Sequence, residues 1–183
     1  MPQSKQMEYT TGQIKSFKWP VTASRKIEAP TKDIWAAISS PGNLEDCHPF
    51  CEKNPVDQWP GIGSRDTIHY YSGWVLHREF TGWIDGEGYD LIIGREGGRK
   101  SFVSWRIIAD RENSSRLDIT LYPHILQNIP AIVRWMPHLA YIRPMMQSYL
   151  ESVVNGFAWF ITSGKPVKKN QFGSHRWFST ASN

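Results

Sequence analysis

The stretch that most constrains the fold lies near the C-terminus, at residues 145–162, MMQSYLESVVNGFAWFIT. Its apolar residues recur at steps of three and four, at Met146, Leu150, Val153 and Phe157. This spacing places them on one face of an α-helix, and that face needs a partner layer to cover it. Because the preceding chain has the pattern of short strands, the expected partner is a β-sheet.

Alternation of apolar and polar residues predicts seven strands before this helix, joined mostly by short turns and therefore antiparallel. Two short helical segments, beginning near Pro30 and Leu44, follow the first strand. The seven predicted strands lie within residues 17–28, 50–59, 66–71, 74–84, 89–95, 100–109 and 116–124. The pattern predicts an α+β domain over residues 17–163.

The two ends of the chain differ from this body. Residues 1–16 are polar and are expected to form a flexible N-terminal arm. The chain has 21 basic and 17 acidic residues, and the whole excess lies in the tail, residues 164–183. A neutral body argues against a nucleic-acid partner. The basic tail also contains Phe172, Trp177 and Phe178, which we expect to dock either on the same domain or on a second subunit.

The two cysteines, Cys47 and Cys51, flank His48. Their spacing does not match the paired ligands of a zinc site, so we expect no metal. No run of residues is apolar enough to span a membrane, and no signal-peptide pattern begins the chain. We therefore expect a cytoplasmic protein with reduced thiols.

Short motifs along the chain resemble those of the SRPBCC superfamily, which contains START-like, polyketide cyclase and birch-pollen-allergen domains. The motifs are RKIEAP at 25–30, Ile34-Trp35, ISSP at 38–41 with Leu44, Gly61-Ile62-Gly63-Ser64, Trp105 and RLDI at 116–119. The resemblance covers about residues 20–163. It implies a helix-grip fold, in which a curved seven-stranded antiparallel sheet wraps around a long C-terminal helix, with two short helices after the first strand. It also implies an apolar cavity between the sheet and the long helix.

Strand 74–84 carries Arg78 on its more apolar parity, which should face inward. At an inward-facing position, Arg78 can bind a carboxylate or enolate of a ligand, or pair with an acid such as Glu96. Its long side chain can also extend so that the charged group meets solvent at the edge of the cavity. His48 is expected at the mouth of the cavity, where an imidazole can orient a ligand or act as an acid or base. The residues expected to bind a ligand are His48, Phe50, Trp74, Arg78, Phe80, Trp105, Leu121 and Phe157.

The resemblance, together with nine Trp, eight Phe and seven Tyr, favours binding or carriage of an apolar or aromatic small molecule of lipid, polyketide or phenolic type. No catalytic or nucleotide-binding motif is present, so no cofactor is expected and catalytic residues are not assigned. A polyketide cyclase or dehydratase, with His48 and Arg78 as acid–base groups or anchors, is the alternative. A third hypothesis is an interaction or regulatory domain that acts through residues 125–143 or the tail, and either segment can also form a homodimer.

Overall fold

The computed structural model describes residues 19–124 and 137–179. Within these ranges the chain forms eight strands, two short helices and one long helix. The elements are β1 Val21–Ile27, α1 Thr31–Ile38, α2 Leu44–Cys47, β2 Cys51–Lys53, β3 Val56–Gln58, β4 Arg65–Tyr70, β5 Val75–Ile84, β6 Gly88–Gly94, β7 Lys100–Arg111, β8 Ser114–Tyr122, a π-helical turn His138–Ile142 and α3 Arg143–Ser163. The N-terminal arm predicted at residues 1–16 and most of the predicted interaction segment, residues 125–136, lie outside the described residues.

The strands form one antiparallel sheet in the order β1-β8-β7-β6-β5-β4-β2, with β3 also paired to β4. The sheet is a curved half-barrel around α3, so the predicted α+β helix-grip fold is confirmed. The strand predicted at residues 50–59 is two short strands instead. Pro55 lies between them and has no N–H to give to the ladder, and the Asn54 N–H donates to the Glu45 carboxylate at 2.7 Å.

The long helix α3 has the predicted buried stripe. Met146, Leu150, Val153 and Phe157 are all at most 4% exposed. The helix ends at Gly164, whose φ of 65° is a left-handed conformation that glycine adopts without strain. Gly156 allows α2 to touch the helix, because a Cβ at this position would lie 2.1 Å from the Cys47 carbonyl oxygen.

Aromatic rings pack against one another in part of the space between the sheet and α3. Successive ring centroids are 4.9 Å apart for Trp59 and Phe80, 5.0 Å for Phe80 and Tyr89, and 5.5 Å for Tyr89 and Trp105. Phe157 of α3 completes the series, 5.0 Å from Trp105. We call these five residues and Trp83 the aromatic cluster. The cluster lies toward the β5–β6 turn, and its member Trp105 also borders the candidate site.

Candidate functional site

A cavity of about 470 Å³ lies between the sheet and α3, next to the aromatic cluster. Its walls are mostly apolar and come from the inward-facing residues of β4 to β8 and from α3. Representative wall residues are Ile68, Leu91, Val103, Ile119, Leu150 and Val153. The volume falls within the range of about 300–1,000 Å³ that is typical of small-molecule sites.

Of the eight residues predicted to bind a ligand, five line this cavity. They are His48, Trp74, Arg78, Trp105 and Leu121. Phe50, Phe80 and Phe157 are buried beside the cavity but do not line it. Phe80 faces inward like Arg78 but lies two residues further along β5, where it packs in the aromatic cluster. The position of these three rings gives them a packing role and does not support direct contact with a ligand.

Arg78 forms a buried ion pair with Asp66, which lies directly opposite it on β4. The Arg78 Nε donates to Asp66 Oδ1 at 2.6 Å, and a second bond joins Nη2 to Oδ2. Burial alone would lower the pKa of Arg78, but the Asp66 carboxylate outweighs it and the pKa is raised. The expected pairing of Arg78 with an acid is therefore confirmed, but the acid is Asp66 and not the example Glu96, which lies in the exposed β6–β7 turn.

His48, Tyr149 and Tyr70 form a hydrogen-bonded chain along one wall. The backbone N–H of Phe50 donates to His48 Nδ1 at 3.2 Å, so the imidazole proton lies on Nε2. His48 Nε2 lies 3.0 Å from the Tyr149 hydroxyl, which lies 2.8 Å from the Tyr70 hydroxyl. The two hydroxyls share one hydrogen bond, so one hydroxyl hydrogen of the pair is left to donate to a ligand.

All three members of this chain are uncharged at neutral pH. Burial lowers the pKa of His48 to about 3, and the nearby Arg78 contributes in the same direction. Burial raises the pKa of Tyr70 and of Tyr149 above that of an ordinary tyrosine. A general acid or base works best with a pKa near the working pH. The acid–base role predicted for His48 therefore has no support from its surroundings.

The C-terminal tail packs on its own domain, which is one of the two expected arrangements. The Phe178 ring centroid lies 4.6 Å from that of Tyr70 and 4.5 Å from that of Tyr149. His175 Nε2 lies 3.1 Å from the Met145 carbonyl oxygen. Trp177 and Phe178 line the cavity, and neither was predicted as a site residue. The aromatic residues in an otherwise polar tail were the signal for them. Homodimerisation through the tail or residues 125–143 stays a prediction.

The remaining polar lining lies at the edge of the sheet where the β6–β7 turn and the end of β8 meet. Arg95 and Arg99 come from the turn, and Arg95 Cζ lies 4.5 Å from the centroid of the Trp74 ring. Ser101 Oγ lies 2.8 Å from His124 Nδ1 and accepts the His124 backbone N–H at 3.1 Å. None of these polar residues was predicted to bind a ligand. Arg95 and Arg99 lie in a turn, where strand parity gives no signal.

Metal binding has no evident site in the described residues, 19–124 and 137–179, because no group of three or more His, Cys, Asp or Glu side chains converges there. Cys47 and Cys51 are buried free thiols, and burial raises the pKa of both. No helix in the same ranges has the length and apolar character needed to cross a membrane.

Several solved structures share this architecture at low sequence identity. DynU16, a protein of the dynemicin biosynthetic locus, matches with a TM-score of 0.62 and 14% identity over 80% of this chain and 48% of DynU16. A START superfamily protein from Mycobacterium smegmatis matches with a TM-score of 0.60 and 12% identity over 80% of this chain and 99% of its own. The likeness shows a common fold, a curved antiparallel sheet around a long C-terminal helix.

Norcoclaurine synthase from Thalictrum flavum, solved with a transition-state analogue, shares this fold with a TM-score of 0.56 and 12% identity over 80% of this chain and 95% of the enzyme. The chain spans about half the length of DynU16. No protein-family model and no curated protein matches the sequence. At these identities the likeness establishes the fold alone.

Proposed function

We propose that the protein binds and carries an apolar or aromatic small molecule, of lipid, polyketide or phenolic type, in the cavity between the sheet and α3. The cavity itself is the observation that supports this most. Protein interiors are close-packed and contain few voids larger than a water molecule. An apolar-walled space of about 470 Å³, beside a tightly packed aromatic cluster, is therefore room for a ligand.

The polar groups inside the cavity favour a ligand whose buried part is neutral. Asp66 already neutralises Arg78, and His48 is uncharged because burial depresses its pKa. The pair of Tyr70 and Tyr149 has one hydroxyl hydrogen to donate. A carbonyl, ether or phenol oxygen on an otherwise apolar body matches this donor, since small-molecule sites combine apolar walls with a few placed polar groups.

Native mass spectrometry of protein purified from its own cells, followed by solvent extraction, tests this function. We expect a bound apolar or aromatic compound at near-stoichiometric amounts. The variant Leu121→Trp fills the cavity from β8 and should lose the compound. The matched control Tyr122→Trp places the same ring at the next residue, which does not line the cavity, and should retain it. Protein that is consistently empty, or equal occupancy in both variants, would contradict the proposal.

A cyclase or dehydratase is the second candidate, and the hydroxyl donor of the Tyr70–Tyr149 pair is the observation that favours it. A fixed donor can polarise a carbonyl while the apolar walls hold a reactive chain in a productive conformation. The variant Tyr70→Phe/Tyr149→Phe, which removes both hydroxyls, should then abolish turnover of the extracted compound while its binding is retained. Recovery of that compound chemically unchanged after prolonged incubation would argue for carriage alone.

A further inference from the structure

The part of the cavity that meets solvent is the β6–β7 turn. Among the described residues that line the cavity, the exposed ones are Arg95, Gly98 and Arg99, and all three lie in this turn. Two other segments lie at the same end of the strands. They are the β4–β5 turn, which contains Trp74, and the residues after β8, which include His124. We call Arg95, Arg99 and His124 the rim.

The rim carries positive charge without a partner. No Asp or Glu is found among the described residues that line the cavity, and in the same part of the chain neither Arg95 nor Arg99 forms an ion pair. The acid nearest in sequence, Glu96, is exposed in the same turn. The third arginine of the cavity, Arg78, is already neutralised by Asp66.

Three contacts hold two of the rim residues, Arg95 and His124, in place. The guanidinium of Arg95 lies over the ring of Trp74, with its Cζ 4.5 Å from the ring centroid, which favours a position at the rim over one extended into water. His124 is fixed through both hydrogen bonds to Ser101, at 2.8 and 3.1 Å. Burial and the nearby Arg99 lower the pKa of His124, so the imidazole at the rim is neutral.

We infer that the rim binds the anionic head group, a carboxylate or phosphate, of an amphiphilic ligand whose apolar body lies in the cavity. This inference rests on the proposed function and adds the charge and the orientation of the ligand. The interior favours a neutral group, so the head group faces solvent at Arg95 and Arg99. These two arginines take the anchoring role that the sequence suggested for Arg78. Guanidinium groups suit it, since they donate paired hydrogen bonds to carboxylate and phosphate oxygens.

Two fluorescent probes with the same aromatic body test the inference. 1-Anilinonaphthalene-8-sulfonate carries an anion, and N-phenyl-1-naphthylamine does not. In the Arg95→Gln/Arg99→Gln variant we expect the Kd of the sulfonate to rise roughly tenfold, as the loss of one or two exposed charge-assisted bonds implies. The Kd of the neutral probe should change less than about twofold. The double variant Lys32→Gln/Arg111→Gln removes the same charge from exposed positions away from the cavity and should leave both values unchanged.

Competition against the bound sulfonate separates the two head groups. Dodecanoate and dodecyl phosphate should both displace the probe from the unmodified protein better than dodecanol, and the stronger of the two identifies the preferred head group. Added salt should weaken sulfonate binding more than binding of the neutral probe. Equal displacement by all three compounds, or an equal loss of both probes in the Arg95/Arg99 variant, would overturn the inference and leave the cavity function standing. Failure of both probes to bind the unmodified protein would instead count against the proposed function and the inference together.

Discussion

Arg78 of β5 and Asp66 of β4 face each other across adjacent strands as a buried, doubly hydrogen-bonded ion pair. Their side chains are 3% and 0% exposed. The pair carries no net charge, so a ligand carboxylate would have to displace Asp66 to use Arg78. An arginine that faces an apolar cavity is therefore not by itself evidence for an anionic ligand. What matters is whether the protein already supplies the anion.

Breaking this pair should be costly. Asp66→Asn leaves the Arg78 charge buried without a counter-charge, and we expect the free energy of unfolding to fall by about 3–5 kcal/mol. Urea denaturation measures this. The exposed pair of Arg116 and Asp118 gives a matched control, and Asp118→Asn should cost less than about 1 kcal/mol. The double variant Asp66→Asn/Arg78→Met should recover much of the loss. Equal losses of unfolding free energy in Asp66→Asn and Asp118→Asn would show that the buried ion pair contributes no more to stability than the exposed one.

Two positions of the buried face of α3, Phe157 and Leu150, should respond differently to truncation. Phe157 is fully buried, belongs to the aromatic cluster and does not line the cavity, so Phe157→Ala should cost about 3–5 kcal/mol of unfolding free energy. Leu150 lines the cavity, where part of its surface has no packed neighbour to lose. For Leu150→Ala we expect a loss below about 2 kcal/mol without ligand.

The effects of the two variants on ligand affinity should have the opposite order to their effects on stability. Leu150→Ala changes the cavity wall and should alter the Kd of N-phenyl-1-naphthylamine several-fold. Phe157→Ala should change that Kd little, provided the measurement is made where the variant is folded. Equal stability losses, or a Kd that depends on Phe157 and not on Leu150, would mean that the boundary between core and cavity lies elsewhere along α3.

The sequence could predict the fold because burial produces regular patterns. The three- and four-residue steps of α3 and the alternation of Leu117, Ile119 and Leu121 in β8 are direct consequences of one face being covered. The division of the predicted strand 50–59 into two was missed. Apolar periodicity does not show where a backbone N–H donates to a side chain instead of to a neighbouring strand, as the Asn54 N–H does to Glu45.

The candidate site was less predictable. Strand parity placed Arg78 on the inward face. It could not show where along β5 the aromatic cluster ends and the cavity begins, because that boundary depends on side chains from several elements. The partner of Arg78 depended on the register of β4 and β5. The chain of His48, Tyr149 and Tyr70 joins residues 101 and 79 positions apart in sequence, so no local pattern could show it.

His48 should make stability depend on pH. Its pKa is about 3 in the folded protein against 6.5 for an ordinary histidine, so between these values the unfolded chain binds more protons than the folded one. The free energy of unfolding should therefore fall as pH decreases from about 6.5 toward 3, with a contribution from His48 of at most about 1.4 kcal/mol per pH unit.

Thermal or urea unfolding of His48→Gln across this pH range isolates that contribution. The glutamine cannot titrate, whereas every other group, including the buried His175, is common to both proteins. At pH 7 the variant should be less stable by about 1–3 kcal/mol, because the Phe50 N–H loses its acceptor. This difference should shrink as pH falls. A difference that stays constant with pH would mean that the pKa of His48 is not lowered in the folded protein.

Phe178 should hold the tail over the cavity. Its ring packs against Tyr70, Tyr149 and Trp74, and the Trp74 ring centroid is 5.6 Å away. Phe178→Ala removes these contacts and should release the tail by local opening, without unfolding the sheet. We expect faster trypsin cleavage after Lys168 and Lys169 and several-fold faster dissociation of N-phenyl-1-naphthylamine, measured by stopped flow. The exposed position Ser174 provides the control Ser174→Ala, which should behave like the unmodified protein. If Phe178→Ala left both rates unchanged, the tail would be a passive extension, and the cavity would be closed by other parts of the chain.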